Sequence, residues 1–452
     1  MPGTDVGKRD HGRALRARDK PGGAGQLAAL IEARIAAGEL RPGDRLDPVR
    51  AVAATLGLAP NTVAAAYRTL GERGFVIGEG RRGTFVATRP PIALPADEQV
   101  PPELVDLASG VPDPDLLPAL APALAAISSR HATYGEPAVD AVLGDLLRAD
   151  LERDGVDAGN LCVVGGALDG IERTLAAHLR PGDRVGVEDP GYPSVTELVG
   201  AMSFRAVPVA VDAFGPRPEA VDAAVGRGVA ALIVTPRAQN PTGAALDEGR
   251  AAELRSLLAE APHVVVIEDD HAGRVAGRPY RSLVADADRP WATVRSVAKS
   301  LGPDLRLAAL VGDSRTVQRV AGRQTLGAGW VSHLLQRIVA HLLADPELDS
   351  VLERASTVYA HRRAAAVDVL RAGGHDVVGR SGLNLWLPVD DEGSVVAGMQ
   401  RLGFAVRSGA RFRSAAAPGV RLSIAAADVG TVEQAAAAIL AVIGSQQGSR
   451  SV

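Results

Sequence analysis

Apolar residues recur through residues 26–37, QLAALIEARIAA, at the spacing of one helix face, and Gly38 ends the run. A turn-rich stretch, GELRPGDRL, leads into two further helical patterns separated by a tight turn. The first, DPVRAVAATLGL, opens on Asp-Pro, a favourable helix start; the second lies in LAPNTVAAAYRTLGERG, with Asn61 and Thr62 near its N-terminus. FVIGEGRRGTFVA then predicts two short strands around Gly-Arg-Arg-Gly, a hairpin with Arg81 and Arg82 at its tip. Beyond residue 104 the pattern changes. Short apolar runs such as LCVV, RVGVE, ALIVT and HVVVIE alternate with longer helical patterns up to about residue 444. That alternation predicts an α/β body with a mostly parallel sheet covered on both faces.

Four regions follow from these patterns: a Gly- and Arg-rich tail over 1–24, read as disordered; a compact unit over 25–88; a linker over 89–103; and the body over 104–444. The linker, RPPIALPADEQVPPE, packs five prolines into fifteen positions and reads as extended and semi-rigid. The closing GSQQGSRSV reads as frayed. Residues 1–89 hold 15 Lys+Arg against 9 Asp+Glu, whereas the rest hold 34 against 44. A basic front end on an acidic body points to a polyanion partner for the front end alone. One cysteine, Cys162, excludes an internal disulfide and a cysteine-based metal site; in LCVV it reads as a small core residue. The charged opening does not read as a secretory leader, and no run of about 18 apolar residues suggests a membrane span, so a cytoplasmic protein is expected.

Helix, tight turn, helix is the arrangement that places its second helix in the major groove of DNA, and a basic hairpin beside it can reach a phosphate or the minor groove. GELRPGDRL, VRAVAATLGLAPNTVAAAYRTLGERGFV and GRRGTFVA together resemble the winged helix-turn-helix of GntR-type bacterial regulators. The resemblance implies that Arg50 touches DNA from the second helix and that Asn61 and Thr62 are recognition-helix positions. Where that family often has Ser-Arg before the threonine, this chain has Ala59-Pro60.

The body's chemistry centres on one residue. Only three lysines occur, Lys8, Lys20 and Lys299, against forty-six arginines. Lysine differs from arginine in that its ammonium can lose a proton and attack a carbonyl, which points to a Schiff-base lysine at Lys299. In ATVRSVAKSLGPDLRLAALVG, Ser296 and Arg306 supply a hydroxyl and a cation suited to a phosphate. VVGGALDGIERTLAAHL is strand, Gly-Gly, helix, whose freed backbone N–H groups at Gly166, Ala167 and Leu168 suit the same anion. VIEDDHAGR ends an apolar strand in three acids, of which only one of Asp269 and Asp270 need face a ligand ring. NPTG carries Asn240, a donor for a phenolate oxygen, and EDPGYPS presents Tyr192 as a lid for a flat ring.

In that order along the chain these segments resemble the fold-type I aminotransferases, over roughly residues 104–440. The resemblance implies pyridoxal 5'-phosphate carried by Lys299, with Asp269 on the ring nitrogen, Asn240 at the phenolic oxygen and Tyr192 over the ring. It places Ser296, Arg306 and the backbone of Gly166–Leu168 on the phosphate. Arg421 matches an arginine that forks onto a substrate carboxylate, and Tyr134 one that reaches across a dimer interface. His271 stands where that family usually has a tyrosine, and its charge is expected to vary near neutral pH. Head, proline-rich linker and body together resemble the MocR subgroup of bacterial transcription regulators. That implies a homodimer that binds double-stranded DNA and senses an amino compound or the cofactor itself; turnover is expected to be little or none, the alternative being a working aminotransferase with an accessory N-terminal domain.

Overall fold

The computed structural model describes residues 21–36, 39–72, 75–78, 80–86, 100–127, 132–284 and 288–450. The chain divides into two compact units, Met1–Gln99 and Val100–Val452. The tail expected over 1–24 falls outside the described residues up to residue 20, and Ala24 already belongs to a helix. Most of the linker, 89–99, also lies outside them.

The head holds α1 (Ala24–Ala36), α2 (Val49–Leu56) and α3 (Pro60–Glu72), followed by β1 (Val76–Gly78) and β2 (Thr84–Val86). Leu27, Ile31, Val52, Leu56, Val63, Leu70, Val76 and Val86 close one small core. Gly57, at φ 64, ends α2 in the left-handed conformation that a side chain disfavours. The expected Asp-Pro start differs in detail: Pro48 holds the cap position without a side-chain bond, and the Asp47 carbonyl accepts the Tyr67 hydroxyl at 2.7 Å. Asp47 thereby ties α3 to the start of α2. β1 and β2 pair antiparallel, Val76 with Val86 and Gly78 with Thr84, and the segment Gly43–Leu46 adds backbone bonds to β2.

In the body, β3 (Val105–Asp106) pairs in parallel with β13 (Phe404–Ala405). The central sheet has eight strands: β4 (Leu161–Val164), β5 (Arg184–Asp189), β6 (Arg205–Asp212), β7 (Gly215–Pro216), β8 (Val229–Val234), β9 (Val265–Asp270), β10 (Trp291–Ser296) and β11 (Ala308–Gly312). Their spatial order is β4-β11-β10-β9-β8-β5-β6-β7; β6, β5, β8, β9 and β10 run parallel, and β11 and β7 run against their neighbours. β8 to β11 are buried almost throughout, as their continuous apolar runs require. A three-stranded sheet of β12 (Asn384–Pro388), β14 (Arg407–Ser408) and β15 (Gly419–Ser423) forms a second layer. The last helix runs over Val429–Arg450, so the expected fraying after residue 444 is replaced by helix up to Arg450. Among the described residues no helix is long and apolar enough to cross a membrane, and no His, Cys, Asp and Glu cluster is placed to hold a metal.

The Asn-Pro-Thr-Gly turn joins the two layers. Gly243 sits at φ 64, where a Cβ would lie 2.3 Å from the Asn384 carbonyl oxygen, and its own carbonyl accepts from the amides of Arg380 and Ser381. Gly243→Ala is therefore expected to lower stability by roughly 2–4 kcal/mol through left-handed strain plus a backbone clash. Thermal unfolding of the full chain checks this, and an unchanged melting temperature would refute the close approach.

Candidate functional site

Strand register brings the separated motifs to one edge of the central sheet. Val164 pairs with Ala308 and Ala308 with Ser296, so the end of β4 and the end of β10 lie in one row. Val294 pairs with Asp269 and Arg295 with Asp270; Glu268 pairs with Val234. The chain leaving these ends carries Gly165–Gly166, Ser296–Lys299, Asp269–His271 and Thr235–Asn240. Crevices at the carboxyl ends of parallel strands are where α/β sheets take ligands.

Three adjacent acids divide their work by strand alternation. Glu268 accepts from the Tyr280 hydroxyl at 2.5 Å, Thr293 Oγ1 at 2.7 Å and the Leu283 amide at 2.6 Å. Asp270 takes a two-pronged bond from Arg237, 2.9 Å to each oxygen, and a further one from Arg295 at 2.7 Å. Both arginines also meet Asp154, Arg295 reaches Asp150, and the Tyr280 ring lies under both guanidinia. Burial pushes the Asp270 carboxyl up, but the two guanidinia outweigh it and hold the group well below the carboxylate range. Asp269 points the other way. It is 6% exposed, its Oδ1 has no partner, and burial, Asp270 and Glu188 push it up to about 8. The free carboxyl of the pair is thus Asp269.

His271 Nδ1 lies 3.8 Å from Asp269 Oδ2. Burial, reinforced by the Lys299 ammonium, lowers the imidazole to about 4, so it stays neutral at neutral pH rather than titrating there as expected from its type. Lys299 itself is lowered to about 8 by burial and then by Arg421. Its Nζ donates to the Gly110 carbonyl at 2.7 Å. Arg421, 5% exposed on β15, donates to Asn240 Oδ1 at 3.1 Å and to the Ala108 carbonyl, and its Nε has no partner. Its guanidinium lies 4.9 Å from the Phe412 ring centre. Burial lowers this arginine to about 10, with Arg407, its neighbour across the β14–β15 pair, adding to the effect.

The helix Ala167–His178 starts beside β4, capped by Gly166 at φ 113 with no side-chain bond. A Cβ on Gly166 would stand 3.1 Å from Arg306 Nη2, so the missing side chain lets that guanidinium close on the helix start. Ala167 and Leu168 open the first turn, and backbone amides there and a cation make an anion cradle. The buried Ser296 hydroxyl accepts from the Ala298 amide at 3.2 Å and keeps its proton for another acceptor. Tyr192 is 41% exposed, at the cap of the helix Pro193–Ala201. Tyr134 stands apart, 94% exposed and edge-on to Trp330 at 5.8 Å.

On the head, Arg50, Asn61 and Arg82 are exposed and Thr62 is half-buried. Arg81 and Arg82 lie in a short turn, Gly80–Arg82, between β1 and β2; the Arg81 side chain is outside the described part.

Several residues of the site carry no clear mark in the sequence. Arg295 sits inside an apolar strand, WATVRS, and a charge so placed signals a buried partner, which Asp270 supplies; Arg237 directly follows the apolar strand VAALIV and its Thr-Pro, where nothing marks it. Gln239 donates to Glu188 at 3.1 Å and to the Pro190 carbonyl, joining the NPTG and EDPGY segments; nothing in the sequence marks it. The carbonyls of Ala108 and Gly110 act through backbone, which composition does not reveal.

A winged helix-turn-helix head and an aminotransferase-fold body define a two-part class of protein. Residues 24–86 match the family model for bacterial regulatory proteins of the gntR family, and residues 102–439 that for aminotransferase class I and II. The chain is 40% identical to the vitamin B6 salvage pathway transcriptional repressor PtsJ of Salmonella typhimurium, over 89% of this chain and 94% of that one. It is 26% identical to the probable rhizopine catabolism regulatory protein MocR of Rhizobium meliloti, over 88% and 85%. The body resembles the structure of LysN, the alpha-aminoadipate aminotransferase of Thermus thermophilus, with a TM-score of 0.68 and 21% identity over 77% of this chain and 94% of that one. The chain belongs to the MocR-type regulators of the GntR family, with an aminotransferase class I and II body.

The raised Asp269 carboxyl carries a pH signature. Below about 4 the folded and unfolded chains both hold the proton; from about 4 to 8 only the folded chain does, so stability falls with rising pH, on the order of 1 kcal/mol per unit. Asp269→Asn removes that loss. The melting temperature of cofactor-free Asp269→Asn should exceed that of the wild type at pH 8 by clearly more than at pH 5; a constant difference would contradict the buried, unpaired carboxyl.

Proposed function

We propose that this protein is a transcription regulator whose body holds pyridoxal 5'-phosphate on Lys299 and uses it to sense an amino compound, while its head binds double-stranded DNA. The observation that carries the body's part is the orphaned, buried Oδ1 of Asp269 at the same sheet edge as Lys299. An unpaired buried carboxyl is costly without a partner, and a pyridine nitrogen is the partner this chemistry supplies. The Gly166 notch under Arg306 supports a phosphate seat, with Ser296 and the amides of Ala167 and Leu168 completing it. Bound there, the cofactor contributes an aldehyde open to amines and a ring that withdraws electrons.

The chain's own residues do the rest. Lys299, lowered to about 8, has a substantial neutral fraction near pH 7–8 and is able to act as a nucleophile. His271, 3.8 Å from Asp269, is a neutral neighbour whose charge does not vary across the physiological range. Asn240 is a partner for the phenolic oxygen, and Tyr192 for the ring face. Arg421, a planar fork, is matched to a carboxylate. Tyr134 reads as a residue offered to a second copy in a homodimer, the usual symmetric assembly. Arg50, Asn61, Thr62, Arg81 and Arg82 read as DNA contacts. The protein's place of action is the cytoplasm.

Two measurements test this. Purified protein incubated with pyridoxal phosphate should turn yellow, and borohydride should fix the label on Lys299; Lys299→Ala and Lys299→Arg should lose the covalent link but keep the fold and DNA binding, because arginine cannot form that bond. A protein that stays colourless would refute the cofactor. For the head, changing both Arg81 and Arg82 should weaken binding to all duplexes and reduce the slope of log affinity against log salt by about 0.9 per lost phosphate contact. Gel shifts at several salt concentrations that show no change in slope would remove the wing from the interface.

A further inference from the structure

Gln239 is fully buried and uses every hydrogen-bonding position of its amide. Its Nε2 donates to Glu188 Oε2 at 3.1 Å and to the Pro190 carbonyl at 2.9 Å. Its Oε1 accepts from the Thr242 amide at 3.0 Å and from Thr242 Oγ1 at 2.5 Å. A side-chain amide offers two donor hydrogens and two acceptor lone pairs, so this one has no spare capacity and a single orientation. Flipping it would set its oxygen against the Glu188 carboxylate and the Pro190 carbonyl. A buried polar group satisfied to that degree specifies one geometry.

The amide joins two loops that leave the ends of paired strands, β5 and β8. One loop runs from Glu188 through Pro190 to Tyr192; the other runs from Thr235 to Asn240. Glu188 grips the second loop twice, its Oε1 accepting the Thr235 amide at 3.0 Å and its Oε2 the Gln239 amide. The first loop is tied to the segment before β15 as well. Asp189 accepts the amides of Ser414, Ala415 and Ala416, and the Gly191 amide donates to the Phe412 carbonyl at 2.7 Å. Burial pushes the Glu188 carboxyl up to about 7, so at pH 8 it is mostly ionised and its bonds are charge-assisted.

We propose that Glu188 and Gln239 are positioning residues for the cofactor ring: their clasp fixes the spacing between Tyr192, at one ring face, and Asn240, at the phenolic oxygen. The proposal rests on the pyridoxal phosphate reading above. Neither residue is assigned a contact with the cofactor; each acts through the loop it holds. The phosphate seat at Gly166 and Arg306 is built on other elements. Loosening the clasp therefore changes how the ring is held and leaves the hold on the phosphate alone.

Two near-isosteric variants of the full-length protein test this. In Glu188→Gln the new amide can serve Thr235 with its oxygen, but its nitrogen then meets Gln239 Nε2, which Pro190 and Thr242 keep in place. One bond of the clasp opens. Gln239→Glu removes both donors, and regains one when its carboxyl is protonated; the titratable group bonded to that position is Glu188. Three quantities are read at pH 8: the Kd of pyridoxal phosphate, the circular dichroism of the bound cofactor in its visible band, and the concentration of inorganic phosphate that displaces it. Both variants should bind pyridoxal phosphate roughly 5- to 50-fold more weakly and alter the visible dichroism, with the intrinsic affinity for inorganic phosphate unchanged. The deficit of Gln239→Glu relative to the wild type should shrink at pH 6. Glu188→Gln, which loses a single bond, carries the test should Gln239→Glu not fold. Unchanged affinity and dichroism in Glu188→Gln, or equal weakening of cofactor and phosphate, would overturn the clasp while leaving the sensor reading intact. A wild type that does not bind pyridoxal phosphate would sink that reading and the clasp with it.

Discussion

Everything at the site depends on how two neighbouring carboxyls, Asp269 and Asp270, are kept buried at the end of one strand. Two adjacent buried anions are untenable unless their charges are compensated or one stays protonated. The fold does both. Asp270 is gripped by Arg237 and Arg295, which in turn lean on Asp154 and Asp150, forming a compensated network behind the sheet. Asp269, on the opposite face, receives none of that compensation and holds its proton to about pH 8. The arginines thus act on the site without entering it: they fix the strand end and leave Asp269 as the one carboxyl of the pair with an unpartnered oxygen.

The other half of the site repeats the logic with opposite sign. Arg421 is a buried cation and Lys299 a half-buried one, and in place of anions they are given the backbone carbonyls of Ala108 and Gly110. Neutral acceptors satisfy hydrogen bonds but not charge. A site built from one unpaired acid, two weakly compensated cations and an anion cradle at Gly166 and Arg306 is complementary to a ligand that carries a basic nitrogen, a phosphate and a carboxylate together.

Much of this was legible in the chain. The alternation of apolar runs and helical patterns predicted the parallel sheet, because strands buried on both faces must be apolar throughout. Lys299 stood out because arginine replaces lysine nearly everywhere else. The pair at 269–270 was legible as one inward and one outward acid, but the choice between them rested on resemblance until the arginines on Asp270 were located. Three things were not legible. The neutral state of His271 depends on burial and on Lys299, a neighbour distant in sequence. Lys299 and Arg421 are held by backbone carbonyls, of Gly110 and Ala108, that any residue supplies. The final helix continues through GSQQGSR, a stretch whose glycines and serines read as an end.

The protonation state of Asp269 tests the account most directly. Infrared difference spectroscopy of the cofactor-free protein at pH 7, wild type minus Asp269→Asn, should show the carbonyl stretch of a neutral carboxylic acid. That band should vanish, replaced by carboxylate, once pyridoxal phosphate is added. A difference spectrum with only carboxylate bands before the cofactor is added would contradict the division of labour between Asp269 and Asp270, and with it the reading of the site.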